Sequence, residues 1–410
     1  ASAIGDGRAQ WSDPVVNYLP EFALSDRYVT THVTIADLFA HRSGLPDHAG
    51  DLLEDIGYDR PEILHKLRFL PLDPFRSTYQ YTNFGLTAGA EAIARAADTT
   101  WAELSQTQLY EPLGMSATSS RFADFMATPN KALGHVIVDG TWQLTPSQRQ
   151  PDAQSPAGGV SSSAVDMAMW MMMVLGEGVF EGQQIVAPEP LREALTPHMT
   201  STPAGSLSGR AGFYGLGFNV GIDGAGRTRF SHSGAFLLGT GATFALLPSE
   251  NLGLVVLTNG EPIGVAEAIA ASFMDLAETG AISFDWFALY PPLFAQLSEN
   301  PSKLAGKEPP INPAPAASHD TYIGRYENDY FGLATVAETD NGELLLTLGP
   351  KAFEFPLSHW DGNVFSFLPT GENALGISAI TFGSVSQDRA TALTVEHLDE
   401  LDLGTFQRVQ

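Results

Sequence analysis

Residues 297–318 carry Pro301, Pro309, Pro310, Pro313 and Pro315 among few apolar side chains. Proline fixes φ and has no N–H to give to a helix or a strand ladder, so this stretch reads as a linker and not as part of a core. It divides the chain into a longer part, 1–296, and a shorter one, 319–410. At 410 residues there is enough polypeptide for two domains of unequal size.

The shorter part is patterned almost wholly as strand. Leu333 to Glu338 and Glu343 to Leu348 flank an Asn341-Gly342 turn, a strong hairpin signal. Phe353 to Leu357, Val364 to Leu368, Ile377 to Phe382 and Ala392 to His397 continue the alternation, which predicts a small antiparallel β domain, either barrel or sandwich.

The longer part mixes helix and strand. Trp11-Ser12-Asp13-Pro14 reads as a turn. Thr34 and Asp37 form a capping box before Ile35, Leu38 and Phe39, with His41 and Arg42 suited to the negative end of that helix and Gly44 and Pro46 stopping it. Residues 84–97 are alanine-rich at helical spacing, and a second helix is expected from Asp98 or Thr99. Pro156 to Gly159 reads as a tight turn. Ser163 and Asp166 cap a run holding Met167, Met169, Met171, Met172 and Met173, which reads as core filling and not as a ligand set. Phe230 to Phe236, Ala242 to Pro248 and Leu252 to Leu257 are expected to be antiparallel strands, with Gly239-Thr240-Gly241 as a plain turn.

Composition removes several functions. A net charge of −26 opposes nucleic-acid binding, which needs cationic replacement of phosphate counterions. No run of about 18 apolar residues occurs, so no membrane span is expected. With zero cysteines there are no disulfides, thiolate ligands or cysteine nucleophiles. The ten histidines show no metal-binding spacing, so neither a metal nor another cofactor is expected. A periplasmic or extracellular location is expected, with the cytoplasm left open.

Acyl transfer through a serine needs a base for the hydroxyl, N–H donors for the oxyanion and a proton path to the leaving group. Tyr81-Thr82-Asn83, before a helix, and His232-Ser233-Gly234, on a strand before a hairpin, fit two parts of such a site. Their order, with Asp13-Pro14, His41 to Pro46 and Gly158-Gly159 around them, resembles the class C beta-lactamase-like and penicillin-binding-protein-like serine hydrolases. That family also includes D-alanyl-D-alanine carboxypeptidases, D-aminopeptidases and esterases, and the resemblance covers roughly residues 6–290. It implies an α+β fold: an antiparallel sheet flanked by helices, with an all-α lobe alongside. By the same resemblance Tyr81 is the general base or proton shuttle, and Asn83, Ser233 and Gly234 contact substrate. His232 stands where penicillin-processing members keep a lysine, and the backbone N–H of Ala235 is an oxyanion donor.

One part is missing. The family's Ser-x-x-Lys motif does not occur: none of the five lysines (Lys66, Lys131, Lys303, Lys307, Lys351) has a serine three positions earlier. The resemblance places that motif just upstream of Ala1, so an absent N-terminal part is expected to carry it. A neutral imidazole at position 232 favours esters, amides or peptides over substrates that require a bound carboxylate, such as beta-lactams. The alternative is a binding or regulatory protein that kept this fold without its nucleophile. Self-association, or association with a separate N-terminal fragment, stays open.

Overall fold

The computed structural model describes residues 1–409. They form two compact units, one of Ala1–Ala49 with Leu70–Leu297, the other of Gly50–Phe69 with the chain from Ser298 onward.

The first unit is built on six antiparallel strands. Their order across the sheet is Leu252–Thr258, Thr240–Leu247, Thr228–Phe236, Asn219–Ile222, Gly212–Tyr214 and Met199–Thr202. Successive residues of a strand face opposite sides, and the two sides have different partners. Phe244 and Leu246 pack with Met171, Met173 and Val174 of the helix Ala164–Leu175. Ala245 and Leu247 pack with Met274 of the helix Val265–Thr279. The methionine run is thus partly core, with Met171 and Met173 buried. Met172 is 53% exposed, because the helix buries one stripe and not its whole circumference.

The helical lobe centres on Asn83–Ala96, in which Phe84, Ala88, Ala90, Ala92 and Ala94 are fully buried. Its small residues let the helix Ile35–Phe39 approach closely: a Cβ on Gly89 would lie 3.0 Å from the Phe39 ring. The next helix, Trp101–Ser105, is capped by Thr100 and not by Asp98 or Thr99, since Asp98 holds φ at 55° in the turn before it. Pro156 to Gly159 is not a tight turn: Ser155–Gly158 forms a short helix with Pro156 in its first turn, where proline's missing N–H costs nothing.

The capping box of Thr34 and Asp37 is present, and Asp37 does more than cap. Fully buried, its carboxylate accepts bonds from the Thr34 N–H and hydroxyl, from Arg42 Nε at 2.8 Å and from Arg76 Nη2 at 2.7 Å. Arg42 is therefore spent on Asp37 and on the His198 carbonyl.

The second unit is a closed eight-stranded antiparallel barrel. Closure comes from pairing of the first strand, Gly324–Asn328, with the last, Thr405–Val409, so no edge is left open. Side chains fill the interior, as eight strands dictate: Leu344, Leu346 and Leu348 alternate inward, and Tyr322, Phe365 and Phe382 pack edge to face or tilted. The helices Asp51–Asp55 and Arg60–Lys66 belong to this unit. Asp55 receives the backbone N–H groups of Glu372 and Asn373, and Gly349 (φ 70°) has no room for a side chain beneath the Ile56 carbonyl. Of the proline-rich stretch, Asn300 to Leu304 is held on the barrel by bonds to Ile377 and Glu396 and by burial of Leu304 against Trp360.

Burial raises the Asp37 carboxyl pKa, but the bonds from Arg76, Thr34 and Arg42 outweigh it and the net shift is downward. A depressed carboxylate contributes stability that is present above the unfolded value, about 3.9, and is lost as pH falls through the lower folded value. Asp37→Asn is expected to destabilise the first unit by about 3 kcal/mol and to flatten this acid limb, measured by denaturant titration at pH 7 and pH 3.

Candidate functional site

The strand Thr228–Phe236 carries the site. His232 pairs with Phe244 and Ser233 with Thr243, so His232 and Gly234 face the side of the Ala164–Leu175 helix while Ser233 and Ala235 face the other. Accordingly His232 and Gly234 line a cavity of about 750 Å³, and the Ser233 hydroxyl turns away to donate to Glu267 on the helix Val265–Thr279. Pairing with Asn219–Ile222 stops at Ser231, which leaves residues 232–236 without a strand partner on that edge among the described residues. The backbone of Ala235 lies in this open segment.

Tyr81 reaches the same cavity from the helical lobe. Its ring centroid is 6.1 Å from that of His232 and 4.4 Å from that of His41. Asn83 begins the helix Asn83–Ala96 and is half-buried, but it does not line the cavity. Gly158, near the loop end that resembled the family, does line it.

Two aromatic residues complete the cluster and were not found from the sequence. Tyr214, fully buried at the end of its short strand, places its hydroxyl 2.9 Å from His232 Nε2. Tyr79 packs 5.5 Å from the Tyr214 ring. A lone tyrosine among glycines gives no spacing signal toward a histidine 18 residues on; only the strand register brings them together.

His41 is not a charged helix cap. It lies one residue beyond the C-cap Ala40, with φ at 53°, and only 1% of it is exposed. Nδ1 accepts the Thr82 N–H at 3.1 Å, so the neutral ring carries its proton on Nε2, which has no hydrogen-bond partner among the described residues. Burial, then the neighbouring His232 and His48, lower its pKa to about 3. The His232 pKa is lowered too, by burial, against an opposing bond to the Ser233 backbone. Burial drives the Tyr79 and Tyr214 phenols upward. The His41 and His232 imidazoles beside Tyr81 are therefore neutral at neutral pH and the Tyr79 and Tyr214 phenols protonated, while the His48 ring stands 6.0 Å from that of Tyr81.

The cavity wall is mostly apolar. No Asp, Glu or Lys lines it among the described residues, although the chain has 47 acidic residues. Arg149 is on the wall, its guanidinium 4.2 Å above the Phe236 ring. Trp170, Phe218 and Phe244 make the floor aromatic. A mostly apolar wall with a few tyrosine hydroxyls and one guanidinium suits an acyl group with a polar edge.

The family described as Beta-lactamase matches residues 1–278, and a domain of unknown function (DUF3471) matches residues 308–408. Two unguisins hydrolases are similar in sequence: that of Aspergillus campestris is 25% identical over 79% of this chain and 61% of its own length, and that of Aspergillus violaceofuscus 26% over 82% and 64%. The chain thus spans less than two thirds of these relatives. The D-alanyl-D-alanine-carboxypeptidase/endopeptidase AmpH of Escherichia coli is 22% identical over 63% of the chain and 67% of its own. Among solved structures, an octameric penicillin-binding protein homologue from Pyrococcus abyssi gives a TM-score of 0.57 at 18% identity, covering 96% of this chain and 82% of its own. A class C beta-lactamase from Rhodobacter sphaeroides gives 0.52 at 21%, covering 67% and 79%. These structures share the fold, and no helix of the described residues is long and apolar enough to cross a membrane.

The His41 shift has a measurable consequence. A base whose folded pKa is lowered is protonated only in the unfolded chain between pH 6.5 and about 3, so its contribution is complete above pH 6.5 and falls as the solution is acidified to about pH 3. From pH 7 to pH 5 His41 alone is expected to cost about 2 kcal/mol of unfolding free energy. Denaturant titrations at the two pH values should show that loss reduced by a similar amount in His41→Gln.

Proposed function

Because the chain belongs to the beta-lactamase family of serine hydrolases, we propose that it forms most of an acyl-transfer site that hydrolyses esters, amides or peptides through an acyl-enzyme. The observation that carries this reading is the convergence of Tyr81 and His232, from two separate elements, on one apolar cavity beside an open strand edge. Tyr81 moves the proton, the Ala235 N–H holds the oxyanion, and Gly234 contacts the substrate, while Asn83, outside the cavity lining, acts at the start of its helix. Ser233 contributes through its backbone, since its hydroxyl is engaged with Glu267.

The nucleophile and its lysine are supplied by polypeptide outside residues 1–410. A tyrosine acts as a base near neutral pH when a cation lowers its pKa, and the lysine of a Ser-x-x-Lys motif is a group of that kind. The neutral residue at position 232 favours esters, amides or peptides over substrates that require a bound carboxylate, such as beta-lactams. The names of the unguisins hydrolases fit a hydrolytic role. A periplasmic or extracellular location is proposed with the cytoplasm left open, and the octameric homologue favours self-association.

The second reading, a binding protein without a nucleophile, is favoured by one observation, the absence of Ser-x-x-Lys from these residues. Intact-mass spectrometry of the natural gene product with a fluorophosphonate probe separates the two. One added probe mass, on a longer polypeptide or on a co-purifying fragment, is the expected result; a single unlabelled polypeptide beginning at Ala1 would establish the binding reading. In the labelled protein Tyr81→Phe should slow ester hydrolysis by about 10²-fold or more, measured as kcat/KM.

A further inference from the structure

We propose that Tyr214 is the positioning residue of the site: it donates its hydroxyl proton to His232 Nε2 and thereby holds His232 as the Nδ1–H tautomer.

The direction of this bond follows from counting donors. The Tyr214 hydroxyl is fully buried, and His232 Nε2, at 2.9 Å, is its one hydrogen-bond partner among the described residues. Were the imidazole the donor, the phenolic O–H would be buried without an acceptor, and an unsatisfied buried donor is costly. With Tyr214 donating, that group is satisfied, and the imidazole proton moves to Nδ1 beside the Ser233 backbone. Both ring nitrogens are then engaged by the protein.

Tyr214 is itself fixed. Its ring is packed by His41 at 5.0 Å and Tyr79 at 5.5 Å, and its backbone is paired through Asn219 to the strand that carries His232. The titratable groups packed around His232 are Tyr214, Tyr81 and His41. The pair therefore presents an uncharged surface to the cavity, and this strand position selects substrate by shape and not by charge. Without Tyr214 the Nε2 lone pair is free to take a proton.

The inference rests on His232 belonging to the site, but its test needs no turnover and so fails or succeeds apart from the hydrolase reading. The full chain labelled with ¹⁵N-histidine, its His232 signals identified by their loss in His232→Gln, reports the tautomer by long-range ¹H–¹⁵N correlation. The expected result is Nδ1–H in the wild type. In Tyr214→Phe, mixed tautomers and a His232 pKa higher by about one pH unit are expected, the equivalent of one lost hydrogen bond. An Nε2–H tautomer in the wild type, or unchanged tautomer and titration in Tyr214→Phe, overturns the proposal. The wild-type spectrum alone is decisive if the variant does not fold.

Discussion

A single buried carboxylate, Asp37, orders the side of the site that Tyr81 belongs to. It ties the start of its own helix to Arg42, just past the helix end, and to Arg76, from a segment far along the chain. Once these two arginines are anchored, the backbones around them zip together: Asp73 N–H to the Gly44 carbonyl, Arg76 N–H to that of Arg42, and Gln80 N–H to that of His41. The last of these bonds sits directly before Tyr81. His41 then accepts the Thr82 N–H, and His48 N–H takes the Tyr81 carbonyl. Tyr81 is thus positioned by a ladder whose first rung is Asp37. A buried charge with this many donors specifies geometry more than it adds net stability.

On the other side of the cavity the governing constraint is the two-residue period of a strand. It separates neighbours in sequence into different chemical settings: His232 among aromatic rings, Ser233 against Glu267. The tripeptide His232-Ser233-Gly234 is contiguous on paper but alternates between two faces in space. Only a backbone role remains for the middle residue. The same alternation on Thr240–Leu247 packs one helix on each face, so the strand that carries the site is clamped from both sides by its neighbour's side chains.

Much of this was legible in the sequence because it is local. The capping box at Thr34, the alanine-rich helix, the hairpin strands and the Asn341-Gly342 turn each depend on residues a few positions apart. Tyr81 and His232 were legible as motifs in family order. The rest depends on long-range register or burial. His41 read as a cap because charge at a helix end is a sequence pattern, whereas its burial, which forbids that charge, is a property of the folded lobe. Tyr214 meets His232 only across two strand pairings. The strands Gly324–Asn328 and Thr405–Val409, which close the barrel, were missed because their outward positions, Arg325, Glu327 and Gln407, are polar and mask the inward Tyr326 and Phe406.

The excursion Gly50–Phe69 shows why a composition boundary is not a structural one. Its contacts belong to the barrel unit although it lies within the sequence of the first unit. The Gly50 N–H donates to the Tyr330 hydroxyl, Tyr58 donates to the Phe331 carbonyl, and Lys66 to that of Asp329. All three bonds end on the turn between the first two barrel strands, while Asp55 holds the turn at Glu372 and Asn373. The second unit is therefore discontinuous, and the chain passes between the units three times. A cut at the proline-rich stretch would leave the barrel without the segment that satisfies these groups. Each unit has its own core, and the chain leaves the first unit and returns to it before reaching Tyr81.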